Sequence, residues 1–314
     1  MTGRSFEYLR LSVTSRCSLS CLYCRPPGSN GDGQTEEFSV QELRLLVECA
    51  AAEGARKVRI TGGEPLERAD LEEVVAAVSS VPGIAEVAMT TNGVGLAGRA
   101  CGLRDAGLRR VNVSLDTLRP GRFADICGKD CHAQVISGIE QAVRTFGAVK
   151  VNTVLLRGVN DDEIEDLVRF GAEAGVRVRF IERYDAACGS PVGELLPGEE
   201  VRGRLRAALG TLVPTAADSL SVEAVYQIPS LGGATVGLIA SATGPPCGRC
   251  TKLRLTGSGE LLPCLFARRG VQVRGLLQRG RREEVRAAIR TALGMKGGSL
   301  GARRLSGAVS RVGG

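Results

Sequence analysis

Three cysteines, Cys17, Cys21 and Cys24, follow one another in Cys-x3-Cys-x2-Cys spacing. Three thiolates on one short loop can converge on a single cluster. A cubane iron–sulfur cluster has four irons, so three ligands leave one iron open for chemistry, as an open position does on catalytic zinc. A structural zinc site would want a fourth ligand, and no other Cys or His lies within twenty residues after Cys24. A second trio stands far downstream: Cys247 and Cys250 in Cys-x2-Cys spacing, then Cys264 after thirteen intervening residues. A Cys-x2-Cys pair is common in zinc knuckles, and folding could bring His132 or Cys188 near it. A second three-Cys cluster would instead leave another iron free, this time for substrate.

Composition fits thiol or metal chemistry inside a soluble globular protein. The chain has 314 residues, 43% hydrophobic and 24% charged, which excludes global disorder. Its 11 Cys are an odd number, and MTGRSFEYLR lacks an apolar signal core, so a disulfide framework is not expected and a cytoplasmic location is. No apolar run approaches the roughly 20 residues of a membrane helix. Net charge is +7, with 36 Arg and 5 Lys making up the 41 basic residues. Aromatic residues are only 4%, with no Trp, a poor supply of base-stacking platforms; small anionic substrates such as nucleotides suit the charge better than nucleic acid. A zinc-containing nucleic-acid-binding protein stands as the rival from another class.

The elements that must position these residues alternate in type. Short β-branched runs lie at Tyr8–Thr14, Lys57–Thr61, Ile84–Thr91, Arg110–Asp116, Val149–Leu156 and Val176–Glu182. Stretches with helical spacing separate them, the first opened by Ser39 with Glu42 three residues on, a capping-box pattern. Such alternation predicts an α/β fold with a parallel sheet and crossover helices. Six units are two short of a complete eight-fold barrel. A partial barrel leaves an open side for a large substrate. The divisions expected are 1–182 for this core, 183–294 for a C-terminal extension carrying the second trio, and 295–314 for a Gly/Arg-rich tail. Within the extension the pattern predicts a short helix near Pro197–Leu209, strand-like pieces from Val222 to Phe266 and an Arg-rich helical stretch from Arg274 to Leu293.

The segment Cys17-Ser-Leu-Ser-Cys21-Leu-Tyr-Cys24 resembles the signature of the radical S-adenosylmethionine (SAM) superfamily, including the aromatic Tyr23 before the third cysteine. The resemblance implies a TIM-like partial (β/α)6 barrel, in agreement with the strand count, and a [4Fe-4S] cluster whose open iron chelates SAM. One-electron cleavage of SAM then releases a 5′-deoxyadenosyl radical. Gly62-Gly63-Glu64-Pro65 follows the second strand, where glycines let the backbone approach a ligand closely. In the superfamily this segment contacts the SAM amino group, which assigns Gly63 and Glu64. Thr91 and Ser114 resemble positions for the SAM carboxylate and ribose.

Two three-Cys trios, the segment CGRCTKLRLTGSGELLPCLF and the terminal Gly313-Gly314 together resemble the GTP 3′,8-cyclases of molybdenum cofactor biosynthesis, nearly end to end. That family implies two [4Fe-4S] clusters, SAM, a low-potential electron donor, and GTP as substrate, with guanine on the free iron of the second cluster. The radical abstracts hydrogen from C3′ and the carbon radical attacks C8; cyclic pyranopterin monophosphate synthase acts downstream. Arg10, Lys57, Arg59, Lys150 and Arg179 on strand runs, with Lys252 and Arg254 at alternate positions of another, match family positions for GTP. The Gly313-Gly314 tail would thread into the site. A homodimer is compatible with the sequence. The chain departs from the family at Arg183–Gly189, at Lys252 where Arg is typical, and at Ser15 and Ser18. These departures leave room for a specialised radical SAM paralogue acting on another nucleotide or a peptide. Cys49, Cys101, Cys127, Cys131 and Cys188 have no family role.

Overall fold

The computed structural model describes residues 6–24, 36–183, 195–215, 222–240, 243, 250–265, 267 and 269–296. Six strands coincide with the six β-branched runs: β1 (Tyr8–Ser12), β2 (Lys57–Thr61), β3 (Glu86–Thr91), β4 (Arg110–Ser114), β5 (Lys150–Leu155) and β6 (Arg177–Glu182). Between them run α1 (Val40–Ala52), α2 (Leu71–Ser79), α3 (Leu96–Asp105), α4 (Pro120–Cys127), α5 (His132–Phe146) and α6 (Ile164–Ala174). The capping box forms: Glu42 N donates to the Ser39 hydroxyl at 3.2 Å and Ser39 N to the Glu42 carboxylate at 2.7 Å. Such a cap is worth about 1 kcal/mol. Buried Leu43, Leu46, Val47 and Ala50 set the face of α1 that packs inward.

Beyond β6 come α7 (Gly198–Leu209), β7 (Val213–Pro214), β8 (Ala224–Ile228), β9 (Ala234–Ile239), β10 (Lys252–Leu255), β11 (Glu260–Leu262), β12 (Val271–Gln272), α8 (Arg274–Gln278) and α9 (Arg282–Gly294). The predicted Arg-rich helix is thus two helices; the chain turns at Gly280, whose φ of +64° is easy only for glycine. Helix α4 was not legible as an element: eight residues between Pro120 and the left-handed Gly128 carry too few turns to show a period.

The twelve strands among the described residues form one sheet in the order β12-β11-β10-β1-β2-β3-β4-β5-β6-β9-β8-β7. Strands β1 to β6 are parallel neighbours, and β10 and β9 join parallel to their outer edges. The C-terminal strands therefore cover both open edges of the partial barrel, which would otherwise expose unpaired backbone. The sheet is curved. Arg179 on β6 exerts its charge on Arg10 on β1, whereas a flat sheet would hold those strands about 24 Å apart. Strand alternation then sorts the side chains. Leu9, Leu11, Val58, Ile60, Val111 and Val113 join the apolar core under the helices, each contributing about 1.5–3 kcal/mol by burial. The opposite parity, from Tyr8 and Arg10 onward, lines the concave side.

At the end of β6, buried Glu182 ties the extension to the barrel. Its carboxylate accepts from Gly198 N at 2.7 Å, at the start of α7, and from Thr243 Oγ1 at 2.6 Å. No helix among the described residues is long and apolar enough to cross a membrane.

Candidate active site

Because β1 to β6 run parallel, their C-terminal ends share one rim, where α/β barrels build sites. The chain leaves β1 through Thr14–Arg16 into Cys17 and here meets the loop after β2. Gly63 N donates to Thr14 O at 2.8 Å and Glu64 N to Arg16 O at 2.7 Å. A Cβ on Gly63 would stand 2.1 Å from Arg16 O, and one on Gly62 2.6 Å from Thr14 O. The close approach these glycines permit is thus to the cysteine loop's own backbone, a role that the expectation of ligand contact did not include. Glu64 is buried, and its carboxylate accepts from Thr91 Oγ1 at 2.6 Å, Asn92 N at 2.6 Å and Leu66 N at 3.0 Å. Burial pushes its carboxyl up to about 7. Glu64 therefore locks the β2 and β3 rim segments together. Asn92 Nδ2 reaches to 4.0 Å from the Cys17 sulfur, and half-buried Ser114 closes β4 on the same rim.

Cys17, Cys21 and Cys24 are all partly exposed on this loop, with Cys24 N donating to Cys21 O at 3.0 Å. Among the described residues no three Cys, His or acidic side chains are gathered closely enough to hold a metal ion. The Cys21 thiol is hydrogen-bonded with Cys127 at the end of α4, which together with burial pushes it well up. The donor set nonetheless fits an iron–sulfur cluster: three thiols on one short loop, held against the turn after β2 by the close approach that Gly62 and Gly63 allow. Tyr23 turns inward; its hydroxyl donates to Asp116 Oδ2 at 2.6 Å, and Asp116 Oδ1 accepts from Val154 N at 2.8 Å. Burial pushes Asp116 up to about 6.

The concave side carries the basic residues. In register, Arg254, Arg10 and Arg59 lie side by side on β10, β1 and β2, and Lys252, Tyr8 and Lys57 form the row beneath. Arg59 Nε donates to the Tyr8 hydroxyl, and Lys252 Nζ lies 5.5 Å from the Tyr8 ring centroid. On the opposite wall Arg179 donates through Nε to Asn152 Oδ1 at 2.9 Å, and Lys150 Nζ donates to Glu223 Oε2 at 2.7 Å. Asn112 on β4 joins the walls. With its amide oriented to face the guanidiniums, its oxygen accepts from Arg179 at 2.7 Å and Arg59 at 2.5 Å. Burial, then the neighbouring Arg254, holds Arg10 well below the usual arginine range. Burial likewise brings Arg179 down to about 10 and Lys252 to about 8. Buried cations crowded in this way favour a polyanion between them.

Cys250 and Cys264, the described members of the second trio, lie at the other end of the lumen. Lys252 pairs with Tyr8, at the start of β1, so Cys250 precedes that level. Strand β11 returns antiparallel with Leu262 beside Arg254, which brings Cys264 back to the same end. Five residues of β1, about 16 Å, thus separate this end from the rim that leads to Cys17. Lys296, beyond α9, donates to Cys250 O at 3.2 Å and Lys252 O at 2.6 Å, with its Nζ 3.7 Å from the Cys250 sulfur. Cys247, Cys188, Gly313 and Gly314 lie outside the described residues. His132 packs edge-on against Phe123, ring centroids 5.5 Å apart, next to α4, and the β4 it follows is four strands from β10.

Sequence reasoning missed Tyr8, Asn112, Asn152, Asp116, Glu223 and Lys296. The first three share the parity of the basic residues and could have been found by extending that alternation. Asp116, Glu223 and Lys296 lie past strand or helix ends, where parity gives no signal.

A parallel partial barrel with a three-thiol loop at the rim of β1 is the arrangement of radical SAM enzymes, and residues 11–171 match the model of the Radical SAM superfamily. Residues 176–299 match that of Molybdenum Cofactor Synthesis C. Streptococcus suis SuiB bound to S-adenosylmethionine has a similar fold, with a TM-score of 0.66 over 91% of this chain and 68% of that one at 16% identity. The GTP 3′,8-cyclase of Pelotomaculum thermopropionicum is 41% identical over 298 residues, 93% of this chain and 92% of that protein. That of Stenotrophomonas maltophilia (strain K279a) is 40% identical over 304 residues, 95% and 92% of the two chains. The chain belongs to the radical SAM superfamily and, within it, to the GTP 3′,8-cyclase family.

Proposed function

We propose that this chain converts GTP to (8S)-3′,8-cyclo-7,8-dihydroguanosine 5′-triphosphate, the first step of molybdenum cofactor biosynthesis. The observation that carries the reading is a cation-lined lumen with one cysteine group at each end. Cys17, Cys21 and Cys24 hold one [4Fe-4S] cluster, and Cys247, Cys250 and Cys264 hold a second. When bound, these clusters and SAM supply a 5′-deoxyadenosyl radical at the rim and an iron for the guanine at the far end.

The chain's own residues position the rest. Gly63, Glu64, Thr91, Ser114 and Tyr23 shape the SAM pocket, with Glu64 fixing the rim segments through its three accepted hydrogen bonds. Arg10, Lys57, Arg59, Lys150, Arg179, Lys252 and Arg254 take the triphosphate, the arginine guanidiniums suited to bidentate phosphate contacts and the lysines acting as point charges. Phosphates held on the lumen wall would place the ribose between the two ends. The Gly313-Gly314 tail completes the site with residues that add no bulk. A low-potential donor supplies the electron, and cyclic pyranopterin monophosphate synthase takes the product. Anaerobic incubation of the iron- and sulfide-reconstituted enzyme with SAM, reductant and a panel of nucleoside triphosphates tests this. Mass spectrometry should find a cyclised product from GTP; turnover only with another nucleotide would replace the proposed substrate.

A further inference from the structure

A phenol stands among the cations of the lumen. Tyr8 opens β1 on the concave side, flanked in register by Lys252 on β10 and Lys57 on β2. Arg10 follows two residues on along the same face. The Tyr8 oxygen accepts from Arg59 Nε. Its ring carries two cations: Lys252 Nζ lies 5.5 Å and the Arg59 guanidinium carbon 5.9 Å from the centroid, both within cation–π reach. Arg59 itself is buried, and among the described residues its hydrogen bonds go to neutral groups. These are the Tyr8 oxygen, Met89 O at 3.3 Å, Thr90 Oγ1 at 3.3 Å and the Asn112 amide oxygen at 2.5 Å. Neutral acceptors orient a guanidinium without cancelling its charge, and a buried charge held this way favours an anion beside it.

A phenol has one proton to donate as well as lone pairs with which to accept. Because Arg59 donates to the oxygen, the Tyr8 proton points elsewhere, and among the described residues it meets no acceptor. Burial makes this phenol harder to ionise, but the charges of Arg59 and Arg10 outweigh it and hold Tyr8 below the usual phenol range. A phenol polarised by cations is a stronger donor to an anion.

We propose that Tyr8 is a further substrate-binding residue, whose hydroxyl donates its proton to a phosphate oxygen while its oxygen and ring keep Arg59 and Lys252 turned toward the same phosphate. The proposal rests on the reading of the lumen as a nucleoside triphosphate site, and it adds a donor to the cations already assigned there. A hydroxyl acts only within hydrogen-bond reach and along its O–H direction. The cations attract the whole phosphate chain through their field; Tyr8 fixes the place of one phosphate within it.

The test is equilibrium binding to anaerobic, cluster-loaded enzyme, with GTP, inorganic triphosphate and guanosine as probes. Tyr8→Phe keeps the ring and removes the hydroxyl. It should bind GTP and inorganic triphosphate about tenfold more weakly, the scale of one hydrogen bond to a charged group, with guanosine binding unchanged. A folded Tyr8→Phe that binds triphosphate within about twofold of the wild type overturns the proposal. A double-mutant cycle separates donation from a role exerted only through Arg59. Adding Tyr8→Phe to Arg59→Met should weaken triphosphate binding by at least about threefold more; no further loss overturns the donor role. Should Tyr8→Phe not fold, the wild type decides, labelled with 13C at the hydroxyl-bearing ring carbon of its 4 tyrosines. One resonance should shift on adding inorganic triphosphate and not on adding guanosine; no shift overturns the proposal. A wild-type enzyme that binds neither GTP nor inorganic triphosphate overturns the triphosphate reading itself, an outcome distinct from a wild-type-like Tyr8→Phe.

Discussion

Replacing Gly63 by Ala probes the joint between the cysteine loop and the barrel. The added Cβ would lie 2.1 Å from Arg16 O, 2.6 Å from Arg16 C and 2.7 Å from Ser15 O, all backbone atoms, where ordinary contact begins at 3.4 Å. The two rim segments must part by about 1.3 Å, the difference between 3.4 and 2.1 Å. They are pinned together by hydrogen bonds of 2.8 and 2.7 Å from Gly63 N and Glu64 N. Overpacking costs about 1–3 kcal/mol, and a lost backbone hydrogen bond about 1 kcal/mol more. Cys17 follows Arg16 directly, so a shift of this size moves the first thiol. A misplacement of about 1 Å costs on the order of 100-fold in rate. The assay is anaerobic formation of 5′-deoxyadenosine, read beside iron content and thermal midpoint. Gly98→Ala is the control: its Cβ meets nothing within 4 Å in α3, and it should stabilise by about 0.5–1 kcal/mol. A Gly63→Ala enzyme with wild-type midpoint, iron content and deoxyadenosine rate would refute the packing argument.

Three further outcomes are expected. Glu64 is held near 7 by burial, against 4.5 ordinarily, so the folded state keeps a proton that the unfolded chain releases. Stability should therefore fall as pH rises from about 4.5 to 7, by up to about 3 kcal/mol, and level off above; urea midpoints across pH 5–8 should lose this slope in Glu64→Gln. Cys264→Ser should lower iron content by about half and abolish GTP turnover while deoxyadenosine formation from SAM continues; full GTP turnover would remove Cys264 from the site. Gly313→Ala with Gly314→Ala should keep both clusters and SAM cleavage but lose cyclisation, which product analysis by mass spectrometry reads directly.

The six barrel strands were legible because each is a short β-branched run between amphipathic stretches, a contrast of periods that needs no tertiary context. The rim thiols and the Gly62-Gly63 turn were legible as local spacing. The topology was not: nothing in KLRL at Lys252–Leu255 says that it pairs with Tyr8–Leu11 and closes an edge of the barrel. That pairing alone brings Lys252 beside Tyr8 and Arg254 beside Arg10, and carries Cys250 and Cys264 to the far end. Glu223 was invisible for the same reason, since it meets Lys150 from 73 residues away. The glycines of the rim show the reverse case: their position was legible but not their partner, because a close approach to backbone leaves no mark on the partner's side chains.

In the proposed site the lumen sets the ribose of GTP against the rim where SAM is cleaved. GTP deuterated at C3′, turned over anaerobically with unlabelled SAM, tests it most directly. Deuterium is expected in the recovered 5′-deoxyadenosine in step with cyclised product. Cyclised product accompanied by unlabelled 5′-deoxyadenosine, or label lost to solvent without product, would contradict it.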